Sequence, residues 1–273
     1  MLVWFKLYEI LFLSVEVNAF LFIFVKKQVV ELYLLIIPLL LIISFLYSSV
    51  GHGGASGYLG LMVLIGISPA LMRPSALMLN IIVSFIAAFQ FYKAGYFNRK
   101  IFIPFIILSV PFSFIGAKII LTDPVYKVIL GICLLISVMR ILFINKFPVY
   151  TEKKDLPFVA ALSIGAVIGL ISGMIGIGGG ILLSPVLILF HWADMKEAAA
   201  VAAPFILVNS LSGLAGLYSS DIVFPPQMFL WVTAAITGGI LGSYFGSSKF
   251  NTAALKYLLS AVMIIAAFKL FIS

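Results

Sequence analysis

A chain of 273 residues in which 64% are hydrophobic and only 10% charged carries more apolar side chain than a water-soluble core of that size can hide, which excludes an ordinary soluble domain. Its net charge of +8 falls mainly between apolar runs, where basic residues set topology and meet lipid headgroups, so nucleic acid is not an expected partner. The single cysteine, Cys133, excludes an intrachain disulfide and a thiol cluster for a metal, and reads as a small packing residue.

Residues 1–28 form an N-terminal apolar extension that carries Lys6, Glu9 and Glu16 near one helical face. It lacks an early basic region and a small-residue cleavage site, so a removed signal peptide is not expected; it reads as an interfacial helix or an extra span. A hydrocarbon core of about 30 Å takes roughly 20 apolar residues in a helix. Eight runs fit: 30–50, 75–92, 101–121, 125–144, 158–175, 198–218, 226–248 and 253–272. Two shorter pieces, 57–66 and 181–190, follow the glycine clusters Gly51-His52-Gly53-Gly54 and Gly176-Ile177-Gly178-Gly179-Gly180, and each is long enough for about half a crossing. Between the runs, 145–157 breaks the apolar pattern with Pro148, Glu152, Lys153, Lys154, Asp155 and Pro157. The predicted fold is an all-α, polytopic transmembrane bundle of two internal repeats of about four helices each, 29–144 and 158–273, joined by that linker and broken at the glycine clusters.

The repeat is legible in register. A shift of 125 residues superposes the glycine clusters, and a four-residue insertion near His191 to Glu197 changes the shift to 129 thereafter. Asn80 then meets Asn209, Ser84 meets Gly213, Lys127 meets Lys256 and Arg140 meets Lys269. Ser109, Ser113 and Ala117 meet Gly238, Gly242 and Gly246, a small-residue ridge suited to close helix packing in lipid. If each cluster interrupts a single crossing, the repeats are parallel; if 57–66 and 181–190 are re-entrant, they are inverted. The 16 Lys and Arg residues from Lys26 onward divide ten against six either way, and both arrangements put 145–157 in the cytoplasm.

Helix breaks in hydrocarbon persist only where they line a cavity or face protein, so the duplicated break is the first candidate for a working site. None of the nine acids lies deep in an apolar run. Cation pumps and proton relays keep intramembrane carboxylates, so the substrate is expected to be neutral or anionic. A helix that starts after a glycine loop presents unpaired N–H groups and about half a positive charge, and glycine lets an oxyanion approach the backbone. The candidate binding residues are Gly51, His52, Gly53, Gly54, Asn80, Ser84, Gly176, Gly178, Gly179, Gly180, Asn209 and Ser210. For each, helix packing or interhelical bonding is the structural alternative. His52 is either a structural donor or a proton-coupling group. Arg73 and Lys118 near helix ends are expected to snorkel, with an anion gate as the alternative for Arg73. No catalytic residue, metal or cofactor is expected: no acid is placed to orient His52, and no nucleotide-binding loop occurs. An accessory membrane subunit and, with less support, an intramembrane enzyme are the alternative functions. The sequence leaves the oligomeric state open, a homodimer included.

Val50-Gly51-His52-Gly53-Gly54-Ala55-Ser56-Gly57-Tyr58-Leu59, Met72 to Ile81 and Phe91-Tyr92-Lys93-Ala94-Gly95 resemble the first repeat of the TauE/SafE family of membrane transporters. Gly176 to Gly180 with Pro185, and Phe205 to Gly213, resemble its second. The resemblance covers about 30–273. It implies a four-plus-four helix permease in the cell membrane, often an exporter, for sulfite or organosulfonates, with the glycine clusters, Asn80, Asn209 and Ser210 carried over as site residues. Ala55 departs from the pattern where a third consecutive glycine is usual, and residues 1–28 have no counterpart.

Overall fold

The computed structural model describes residues 36–49, 53–143, 153–218, 222–246 and 253–272. The N-terminal extension, Gly51, His52 and most of the 145–157 linker lie outside them. Among the described residues there are ten helices and no strand. They are α1 (Ile36–Ser49), α2 (Ala55–Leu64), α3 (Pro69–Lys93), α4 (Arg99–Lys118) and α5 (Asp123–Phe143) before the linker. After it come α6 (Phe158–Ile175), α7 (Gly180–Leu189), α8 (Met195–Leu217), α9 (Met228–Gly246) and α10 (Ala253–Ile272). All eight long apolar runs and both short ones return as helices. The run 75–92 starts earlier than its apolar pattern because Ser68 and Pro69 occupy the N-cap and first helical positions, where proline loses nothing.

Among the described residues four helices, α3, α4, α6 and α8, are long and apolar enough to cross a membrane. Phe85, Phe89, Ile103, Ile107, Val167 and Phe268 stand exposed on the outside of the bundle, an arrangement water would penalise and lipid does not. The chain is a multi-pass membrane protein.

Helix directions follow from contacts. A Cβ added at Gly165, Gly169 or Gly173 would lie 2.4, 2.2 or 2.0 Å from the carbonyl oxygens of Phe105, Ser109 and Ser113, so α4 and α6 run parallel in matching four-residue steps. The same geometry joins α9 to α1, where Gly238 and Gly242 face the carbonyls of Leu41 and Phe45 at 2.3 and 2.1 Å. These seams bring backbones together without a Cβ between them, the device that drives association where lipid removes the hydrophobic incentive. Ser109, Ser113, Gly238 and Gly242 thus take the packing role their spacing predicted. Alanine at Gly169 has its methyl inside van der Waals contact with Ser109 backbone; we expect it to destabilise the α4/α6 seam by about 1–3 kcal/mol, read as a lower melting temperature in detergent.

Both short helices turn back toward the end from which their predecessors came. Ser44 pairs with Tyr58 at 2.8 Å and Tyr47 with Ser56, which sets α2 antiparallel to α1. Gly179 faces Ile168 and Ser172, whereas Leu187, further along α7, joins Ala161 and Phe105 near the start of α6. α2 ends where Lys269, late in α10, donates to the carbonyls of Val63 and Leu64 at 3.0 and 3.0 Å, and α3 departs from there. α7 ends at the other end of α3, where the Lys196 ammonium donates to the Tyr96 hydroxyl at 3.0 Å and the Lys154 N–H to the His191 carbonyl at 2.9 Å. The two folded-back pairs therefore enter the bundle from opposite ends.

One of those ends is basic. Lys93, Arg99, Lys100, Lys153, Lys154 and Lys196 gather where α3 finishes and α4, α6 and α8 begin. There Lys153 bridges Asp194 at 3.1 Å and Glu197, tying the end of the linker to the start of α8. The Lys153 ammonium is held above its usual pKa, first by the Glu197 hydrogen bond and then by Asp194. Partial burial pushes Asp194 up, but bonds from the Glu197 N–H, Lys153 and the Lys196 N–H outweigh it and hold the carboxyl below its usual value. Asp194 thus contributes stability above the ordinary carboxylate pKa that is lost as pH falls through its lowered one. Lys153 contributes below the ordinary lysine pKa and loses it as pH rises through its raised one. Because Lys153 and Asp194 are about half exposed, Lys153→Met is expected to cost under about 1 kcal/mol at neutral pH, and less as pH falls through the lowered value of Asp194, checked by melting temperature against pH.

Candidate functional site

Helix starts differ in how they are capped, and α3 and α6 begin at Ser68 and Pro157 in extended conformation without a side-chain cap. α8 carries a complete capping box: Asp194 accepts from the N–H groups of Lys196 and Glu197, both at 2.9 Å, while the Glu197 carboxylate accepts from the Asp194 N–H at 3.3 Å. Asn98 caps α4 by accepting from the Lys100 N–H at 3.0 Å. At α2 and α7 the N-cap is a glycine, Gly54 or Gly179, with φ of 92° and 77° and no side-chain cap. That left-handed geometry is strained for any side chain but natural for glycine. It leaves first-turn N–H groups without a capping side chain and with the positive end of the helix dipole behind them.

These two starts meet at the middle of the bundle. A Cβ added at Gly53 would lie 2.8 Å from Asn80 Oδ1 and 2.9 Å from Ile206 Cγ2. One added at Gly178 would lie 2.7 Å from Asn80 Nδ2, 2.8 Å from the same Ile206 Cγ2 and 2.9 Å from Ser210 Oγ. Because both distances end on one methyl group, the two glycine tips cannot be further apart than the pair of contacts allows. Asn80 stands midway along α3 and Ile206 midway along α8. The Asn80 amide donates to the Ile177 carbonyl at 3.2 Å, which turns Nδ2 to the second tip and Oδ1 to the first. Asn80, Ser84 and Ser210 are fully buried, and neither Asn80 Oδ1 nor Ser210 Oγ has a hydrogen-bond partner among the described residues.

The remaining predicted residues are distributed around this contact. Gly180 packs on Ile206 and on the Ala202 carbonyl, and Gly179 on Ile168 and Phe205. Gly176 ends α6 and lies against the backbone of Arg73. Ser84, one turn further along α3, leans on the Ile81 carbonyl at 3.5 Å, outside the contact of the tips. Asn209 turns away: its side-chain amide donates to Ser109 Oγ at 3.1 Å and to the Phe205 carbonyl at 2.9 Å, and Ser113 donates to its backbone carbonyl at 2.8 Å, while its Oδ1 has no partner among the described residues. It fastens α8 to α4, the interhelical alternative for a buried amide, so the matched asparagines occupy different environments. Gly51 and His52 lie outside the described residues.

Arg73 is tied to two helix ends: its Nη2 donates to the carbonyls of Ala117 at 2.9 Å and Gly173 at 3.1 Å, in the last turns of α4 and α6. Terminal carbonyls lack intrahelical partners and carry the negative end of the dipole, which offers a cation a better site than the interface. Nearby, Tyr126 donates to the Ile175 carbonyl at 3.3 Å, so α5 also holds the segment that leads into the second tip. Lys118 lies over the Phe114 ring at 4.4 Å. Cys133 is buried and free. A cleft of about 440 Å³ opens at the basic end between Tyr96, Asn98, Asp194 and Glu197, separate from the glycine tips in the bundle's middle. Among the described residues no group of His, Cys, Asp or Glu is placed to hold a metal.

Two helix starts with glycine N-caps that meet on a buried polar side chain within a membrane bundle are in keeping with the discontinuous helices of polytopic membrane transporters. Residues 36–270 match the family described as Sulfite exporter TauE/SafE, and the chain belongs to that family. It is 37% identical over 232 residues to a probable membrane transporter protein of Sinorhizobium fredii, covering 84% of this chain and 94% of that protein. It is 27% identical over 197 residues to a probable membrane transporter protein of Methanocaldococcus jannaschii, covering 67% and 72%. No solved structure matches it.

Proposed function

We propose that this chain is a secondary transporter, working as an exporter, of a small sulfur oxyanion, sulfite or an organosulfonate, bound between the tips of α1–α2 and α6–α7. The observation that carries this reading is the approach of Gly53 and Gly178 to one asparagine and one methyl group at mid-bundle, each next to a helix start without a side-chain cap. Anionic groups favour such starts, and substrates of repeat-built transporters sit where discontinuous helices from two halves converge. The two halves, 29–144 and 158–273, are read as an inverted pair, in keeping with folded-back elements that enter from opposite ends. The basic end carrying the 145–157 linker faces the cytoplasm, as the distribution of lysine and arginine favours. In the described conformation the tips are closed on Asn80 and Ile206; loading requires them to part, and alternate opening toward either end moves the anion across.

Purified protein in liposomes tests this. Labelled sulfite or a sulfonate is expected to equilibrate across the bilayer without ATP. Liposomes that move none of these anions with this chain as the sole protein would remove the reading, and an accessory subunit would take its place.

A further inference from the structure

We infer that the anion held at the tips carries a hydrogen-bond donor of its own beside its negative oxygens: hydrogen sulfite, or a sulfonate with a hydroxyl near its head. This deepens the transport reading above and rests on it.

A site built only for a bare oxyanion needs donors alone. The first turns of α2 and α7 supply them, and the Ser210 hydroxyl adds a rotatable one. Asn80 Oδ1 does not fit that set. It accepts only, it is fully buried, and no group among the described residues donates to it. The amide cannot turn over to offer its NH₂ to the first tip, because Nδ2 would then abandon the Ile177 carbonyl, itself only an acceptor. So Asn80 presents an acceptor at Gly53 while its other half stays tied beside Gly178. A bare oxyanion placed there sets a negative oxygen against the asparagine oxygen. An anion that also carries an O–H satisfies Oδ1 while its charged oxygens meet the helix starts. A buried acceptor left unpaired is costly, and a site built around a substrate hydroxyl rejects the analogue that lacks it far more strongly than an apolar pocket rejects a missing methylene.

The test compares two sulfonates of like charge and similar size, 2-hydroxyethanesulfonate and ethanesulfonate, in liposomes containing the full-length protein. The native chain is expected to move the hydroxylated anion with at least about tenfold higher kcat/KM. In Asn80→Leu, close in size but without the acceptor, that ratio is expected to fall toward one. If Asn80→Leu does not fold, the native ratio decides alone. Equal transport of both sulfonates by the native chain, or a ratio that persists in a folded Asn80→Leu, overturns the inference and leaves anion transport standing. Failure to move sulfite or either sulfonate instead overturns the parent reading, and the inference falls with it.

Discussion

Gly178→Ala is expected to reduce anion flux in liposomes by about a hundredfold or more while the protein still inserts and purifies. Gly178 has φ of 76°, a conformation that costs a side chain about 1–2 kcal/mol. Its new methyl would also fall 2.7 Å from Asn80 Nδ2, 2.8 Å from Ile206 and 2.9 Å from Ser210 Oγ. Relieving that overlap moves the tip, Asn80 or both, and a displacement of about 1 Å at a positioning residue is enough for a hundredfold loss of rate. Gly66, with φ of 78° and open space around it, is the control: Gly66→Ala introduces similar backbone strain away from the tips and is expected to leave flux nearly unchanged. Flux that survives Gly178→Ala would make the glycine a packing residue and remove the tips from the transport path.

The largest stability effect is expected at Arg73. Arg73→Met keeps much of the side chain's volume but frees the Ala117 and Gly173 carbonyls at the ends of α4 and α6. Hydrogen bonds to a charged group contribute about 1.5–3 kcal/mol each, and Arg73→Met should therefore cost on the order of 3 kcal/mol, visible as a large drop in melting temperature. Arg73→Lys, which keeps the charge but not the planar fork, should recover part of it. Since α6 leads into the second tip, transport is expected to fall together with stability. A melting temperature unchanged in Arg73→Met would show that the guanidinium clasp contributes little.

Much of this was legible in the chain. The apolar runs name every described helix, because in lipid the length of an apolar segment maps directly onto a crossing. The glycine clusters mark the starts of both short helices, where Gly54 and Gly179 take a left-handed N-cap conformation. Small residues at four-residue spacing gave the α4 and α9 seams. Other features depended on the third dimension. Ile206, the methyl both tips touch, is one isoleucine among many, and no local signal separates it from lipid-facing neighbours. Asn80 and Asn209 match in register, yet only the packing of α8 on α4 decides that Asn209 bonds Ser109 while Asn80 reaches the tips. The partners of Arg73 were hidden because the carbonyls it satisfies belong to helix ends distant in sequence. The choice between continuous and re-entrant short helices was also closed to charge counting, because the basic residues divide ten against six under both.

An anomalous-scattering map of crystals grown with selenite, the heavier analogue of sulfite, tests the shared site most directly. The expected result is a peak bounded by Gly53, Gly178, Asn80 and Ser210. An ordered selenite bound elsewhere within the bundle, with that position unoccupied, would contradict the account.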